Sequence, residues 1–159
     1  DMIEILAIVK QKIPNVSLLL IGGGNTRMSR EICRMTDVRG VTQNIDYKGY
    51  RSDDYKYECM RRSKIFIMTS YFESFGNVIV EAMSVGIPVV AYELPHYNQF
   101  GSGMIRVPVG DHLGFAEVIT TLMSNKDYYD SVSYQAWECS KHFSWKEVAK
   151  ELQDVIAIS

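Results

Sequence analysis

The sequence predicts an α/β domain, a Rossmann-like, doubly wound and mostly parallel sheet with additional helices at its C-terminal end. Three observations lead there. Short apolar runs at 16–21, 45–50, 65–68, 88–91 and 104–109 recur along the chain with helical stretches between them. The intervening segments are long enough to hold a helix, which parallel strands need in order to cross from one end to the other. Several of the runs lack polar alternation, the mark of strands covered on both faces.

Taken in order, residues 1–13 read as a helix, with Ile3, Leu6, Val9 and Ile13 at helical spacing and Pro14 to stop it. The run 16–21 follows as a strand buried on both faces. A doubly wound unit normally opens with a strand, and none precedes this helix. We therefore expect a fragment, one domain spanning 1–159 that lacks its own first strand and an N-terminal domain. Gly22-Gly23-Gly24-Asn25 then leads into a helix at 26–36. Two readings of these glycines stand side by side: a tight turn needing positive φ, or close backbone approach to a ligand at a strand end. Neither G-x-G-x-x-G nor Gly-Lys-Ser/Thr is present, so the dinucleotide and P-loop fingerprints are not met.

After the strand at 45–50, Ser52-Asp53-Asp54 starts a helix ending near Arg62. The adjacent carboxylates read as cap and dipole partners, not as metal ligands. Arg61, Arg62 and Lys64 form the nearest approach to a basic cluster and read as a solvated helix face. Beyond the strand at 88–91, residues 92–100 leave as a polar, aromatic loop toward the rim where open α/β sheets bind ligands. His96 lies on it without a Ser, Cys or acidic partner in view, which is no triad. Gly101 and Gly103 mark a turn before the last strand. Asp111 caps a helix at 112–123 with Phe115, Val118, Ile119 and Leu122 on its apolar face, and a second helix covers 126–141. Ser144 is placed as the cap of a terminal helix whose Leu152, Val155 and Ile156 would be incompletely covered.

Composition narrows the function classes. The 159 residues, 47% hydrophobic and 23% charged, suit one globular domain with a core of its own. A formal charge of −2 gives no electrostatic basis for nucleic acid or an anionic membrane surface. Cys33, Cys59 and Cys139 are odd in number and lack metal-ligand spacing, so reduced thiols and a cytoplasmic location are expected. No apolar run reaches membrane-spanning length, and no signal peptide is visible.

The stretch from Ser70 to Ala91 is the most informative. Residues 65–68 end a buried strand, Glu73 to Asn77 form the loop at its carboxyl end, and an apolar helix follows to Val85. Glu81 interrupts that helix. A buried carboxylate needs a hydrogen-bonding or charged partner, so Glu81 is either paired with a core Lys or Arg or turned toward a ligand. Gly76 opens the helix, and the free N–H groups of a first turn favour anions such as phosphate. Glu81 lies about 7–8 Å further along the axis, roughly the reach from a nucleotide's diphosphate to its ribose.

Glu73 and Glu81, with Ser74-Phe75-Gly76 after the first, Ala82-Met83 after the second and Gly86-Ile87-Pro88-Val89-Val90-Ala91 behind them, resemble the E-x7-E region of the family 4 retaining glycosyltransferases. The looser likeness extends over the whole chain. It implies the C-terminal, donor-binding half of a GT-B fold and transfer of a sugar from a UDP or GDP donor to an acceptor with retention. Such enzymes work without a metal or other cofactor, and the D-x-D spacing of metal-dependent GT-A enzymes is absent here. On this resemblance Glu73 is the catalytic-site carboxylate facing the donor sugar. Ser74, Phe75, Gly76, Asn77 and Val78 bind the donor, with the Gly76 and Asn77 N–H groups on the diphosphate; Glu81 holds the ribose, and Gly23 lines the donor cleft. Tyr50 and Arg51 approach the nucleobase, with half-buried packing as the alternative for Tyr50. Asn98-Gln99 stands where many relatives carry an acidic residue. The implied partners are the nucleotide-sugar and the missing N-terminal domain, through which any peripheral contact with the cytoplasmic face of a membrane would run. The implied setting is polysaccharide or glycolipid biosynthesis. Related GT-B halves of epimerases or phosphorylases, and a non-catalytic Rossmann-like nucleotide-binding module, are the alternatives.

Overall fold

A computed structural model describes residues 1–143, and the expected cap at Ser144 and the terminal helix with Leu152, Val155 and Ile156 lie outside them. Helix α1 (Met2–Lys12) is followed by β1 (Leu18–Ile21), α2 (Thr26–Arg39), β2 (Ile45–Gly49), α3 (Asp53–Arg62) and β3 (Phe66–Met68). Then come α4 (Asn77–Ser84), β4 (Val89–Tyr92), β5 (Met104–Val107), α5 (His112–Ser124) and α6 (Lys126–Ser140). All the strand pairings are parallel, as the alternation of runs and helices predicts.

The strands form two groups among the described residues, β1 with β2 and β3-β4-β5 in that order. β4 lies between two neighbours, and Val89, Val90, Ala91 and Tyr92 are completely buried. β1 departs from expectation. Its four residues are only half-buried because β2 is its one strand neighbour in the described residues and α1 and α2 cover it from the side. α1 joins the two groups. Its Ile5 and Val9 enter the core of Val90, Tyr92 and Phe115, while Ile3 and Leu6 pack with Val41 and Leu18. Burying such aliphatic side chains contributes roughly 1.5–3 kcal/mol each, so this short helix is a principal brace between the groups.

Local chemistry sets the helix ends. Asn25, Ser52, Asp111 and Asn125 accept main-chain N–H bonds as N-caps of α2, α3, α5 and α6. The segment Pro95–Gly103 is 3-10 helix broken by a kink at Gly101, in place of the expected polar loop, and Tyr97 and Phe100 on it, with Leu94 just before it, are buried in the core. Its aromatics therefore fill space beneath the rim and do not face a cleft. Asn44 is one of the few buried polar residues, satisfied by donating to Pro14 O and Val16 O at 3.1 and 2.7 Å.

Candidate functional site

Because β3 and β4 are parallel and adjacent, the loop after Met68 and the segment after Tyr92 emerge on one rim. The β3–α4 loop is held at both ends. On one side the Tyr71 hydroxyl donates to Asp1 Oδ2 at 2.7 Å, Tyr92 donates to the same oxygen at 3.0 Å, and the two rings meet edge-on. His112 Nε2 lies 3.3 Å from the other Asp1 oxygen. On the far side the Phe75 ring packs edge-on against Phe100 and Phe143. The residues between these anchors point outward: Phe72 is 85% exposed, and Ser74 is exposed as well.

Glu73 is half-buried in this presented segment, and its Oε1 accepts the Ser74 N–H at 3.2 Å. It stands close enough to Tyr97 to matter electrostatically. Burial, with the Glu73 charge adding to it, pushes the Tyr97 phenol up to about 12. Gly76 follows at φ 87°, ψ 47°, a left-handed conformation that L side chains avoid, and a Cβ there would lie 2.9 Å from Ile79 Cδ1. No side chain caps α4 among the described residues, and Asn77 at its first position is exposed. In the helix Ile79, Ala82 and Met83 are buried, while Val78, Val80 and Val85 are half-buried.

Glu81 takes an intermediate position between the two readings of the sequence. Its Oε2 is buried and lies 2.8 Å from Lys56 Nζ of α3, at an angle outside hydrogen-bond geometry. The side chain as a whole retains 25% of its exposure, so the carboxylate is paired but not sealed. Lys56 also reaches Asp53 Oδ1 at 3.1 Å. Burial pulls the Lys56 ammonium down, yet the attraction of the Glu81 and Asp53 carboxylates outweighs it and the net shift is upward.

Other expected residues fall out as follows. Phe75 and Val78 spend their side chains on packing, leaving only main chain for a ligand. Tyr50 is 80% exposed, which removes the half-buried packing alternative. Arg51 donates to Tyr50 O at 2.8 Å and its guanidinium lies 5.7 Å from the centre of the Tyr55 ring. Gly23 is exposed with open space where a Cβ would stand. None of Gly22, Gly23 and Gly24 has positive φ, so the tight-turn reading of this loop is incorrect. A Cβ at Gly24 would lie 2.5 Å from the Tyr47 hydroxyl, so a larger residue there would have to displace the end of that side chain. His96 packs against Tyr97, its buried Nε2 has no hydrogen-bond partner among the described residues, and Asn98 accepts from Arg106 at 2.7 Å.

Two surface hollows of about 510 and 450 Å³ lie between α1 and α2 and along β5 and α5, and neither is lined by Glu73, Gly76 or Glu81. Among the described residues no group of His, Cys, Asp or Glu is arranged to hold a metal ion, and no helix is long and apolar enough to cross a membrane.

The family model for "Glycosyl transferases group 1" matches residues 1–138. The chain belongs to that family. Over 158 residues it is 27% identical to a phosphatidyl-myo-inositol mannosyltransferase of Mycobacterium leprae, covering 97% of this chain and 41% of that protein. It is 29% identical over 121 residues to a D-inositol 3-phosphate glycosyltransferase of Streptomyces bingchenggensis, covering 74% and 27%. Among solved structures, Anabaena Alr3699/HepE in complex with UDP superposes with a TM-score of 0.86 at 23% identity, covering 100% of this chain and 45% of that one. The C-terminal domain of a group 1 glycosyl transferase (LpcC) from Francisella tularensis gives 0.77 at 18% identity, covering 88% and 75%. These superpositions identify the fold as that of GT-B glycosyltransferases. The chain spans less than half the length of both curated relatives.

Lys56, Tyr71 and Tyr97 were not singled out as site residues in the sequence. The demand of Glu81 for a basic partner was visible there, but nothing along the chain ties position 56 to position 81.

Proposed function

We propose that this chain is the donor-binding half of a retaining, metal-independent glycosyltransferase using a nucleotide-sugar. The observation that supports it most directly is the rim built around the β3–α4 loop: an uncapped helix tip at Gly76, with Glu73 before it and a part-exposed Glu81 after it. In this reading the Gly76 and Asn77 N–H groups and the α4 dipole stabilise charge growing on the departing diphosphate. Glu81 accepts from ribose hydroxyls. Glu73 contacts donor-sugar hydroxyls near the anomeric carbon and orients an oxocarbenium-like centre, without serving as a covalent nucleophile. Attack comes from the face the diphosphate leaves, with a phosphate oxygen taking the acceptor proton. Tyr50 and Arg51 border the base. A D-inositol 3-phosphate glycosyltransferase among the relatives and a UDP complex among the similar solved structures accord with this class. A second domain of the same polypeptide would bind the acceptor and form the cleft's other wall, in the cytoplasm.

The Lys56 pair favours one rival, a nucleotide-binding or regulatory module whose Glu81 is structural. The two separate on ligand dependence. Glu81→Gln should weaken a ribonucleoside diphosphate roughly tenfold, about 1.4 kcal/mol, and leave pyrophosphate nearly unchanged. Equal losses for both ligands would make Glu81 a stability residue.

A further inference from the structure

We infer that Lys56 is a positioning residue for Glu81, holding one carboxylate oxygen so that the other is presented to a ribose. The inference rests on the donor-binding reading of the rim. Glu81 Oε2 is buried against Lys56 Nζ at 2.8 Å, while the side chain keeps a quarter of its exposure, so the exposed part of the group lies away from the lysine. Lys56 is itself held from several directions. It reaches Asp53 Oδ1 at 3.1 Å, its ammonium stands 5.2 Å from the centre of the Tyr57 ring, and its side chain is 23% exposed. An ammonium carries three N–H donors and no acceptor, so it can fix a carboxylate without competing for the hydroxyls that the carboxylate would receive. The pair also joins α3 to α4, and therefore couples the elements following β2 and β3.

A purely structural role predicts something else. Part-exposed ion pairs of imperfect angle contribute little to stability, and losing one would affect every ligand alike or none. The positioning role predicts a loss confined to ligands that carry ribose hydroxyls.

The test compares uridine diphosphate, 2′-deoxyuridine diphosphate and pyrophosphate by NMR titration on the wild-type chain, Lys56→Met, Lys56→Gln, Lys56→Arg and Glu81→Gln. Lys56→Met and Lys56→Gln should weaken uridine diphosphate roughly five- to tenfold, the deoxynucleotide much less and pyrophosphate not at all. Lys56→Arg should recover most of the loss. The Lys56→Met, Glu81→Gln double variant should bind uridine diphosphate no more weakly than Glu81→Gln alone, because both substitutions disable one contact. Equal losses across the three ligands, or additive losses in the double variant, overturn the inference. If Glu81→Gln is ribose-selective and the Lys56 variants are not, the inference fails while the donor-binding reading stands. If Glu81→Gln shows no selectivity, both fall.

Discussion

Gly76 shows how one residue sets the geometry of the rim. Its left-handed backbone turns the loop into α4 and places the first-turn N–H groups at the strand end, where Ile79 leaves no space for a Cβ. Gly76→Ala should therefore cost about 1–3 kcal/mol, read as a lower denaturant midpoint, and should weaken pyrophosphate as well. A change of only a few tenths would mean that the turn relaxes freely. Tyr97, buried beneath this loop, gives a second residue-scale expectation. Its phenol is raised to about 12 in the fold, so the folded state keeps a proton that the unfolded chain releases near its ordinary value. That contribution is fully present below the unfolded value of about 10 and is lost as pH climbs toward about 12. Denaturant melts across this interval should fall more steeply for the wild type than for Tyr97→Phe; parallel curves would contradict it.

At the scale of elements, the β3–α4 loop depends on anchors distant in sequence. Tyr71 and Asp1 are 70 residues apart, and their hydrogen bond ties the loop to the start of α1, with Tyr92 on the same oxygen. Tyr71→Phe should leave the fold within about 1 kcal/mol of wild type, the usual worth of one hydrogen bond. It should loosen the segment around Glu73, seen as faster amide exchange at 72–75 than at 79–83. Unchanged exchange would assign the anchoring to Phe75 alone. The elements themselves were largely legible beforehand. β4 reads as fully buried because its apolar run lies between two strand neighbours, whereas β1, with a similar run, is half-buried because burial depends on what pairs beside it. The Pro95–Gly103 segment was misread for a related reason: Tyr97 and Phe100 look like loop aromatics in sequence, and only the packing of α6 and α4 shows them to be core. Glu81 announced its need of a partner, while the partner's identity followed from how α3 meets α4 and could not be found along the chain.

At the scale of the molecule, the residues predicted for donor contact fall in the loops after β1, β2 and β3 and on the first turns of α4. The curated relatives extend well beyond the length of this chain. A single open wall should bind a nucleoside diphosphate weakly, with a dissociation constant on the order of 1 mM, about −4 kcal/mol. On the proposed function, sugar transfer should require an acceptor-binding domain in addition to residues 1–159. The central claim is that the diphosphate rests on the α4 tip and the ribose reaches Glu81. Amide-resolved NMR titration of the chain with uridine diphosphate tests it most directly. Gly76, Asn77 and Glu81 should shift together at saturation, with pyrophosphate moving Gly76 and Asn77 but not Glu81. Shifts centred on the hollow between α1 and α2, or a Glu81 signal indifferent to the nucleoside, would contradict it.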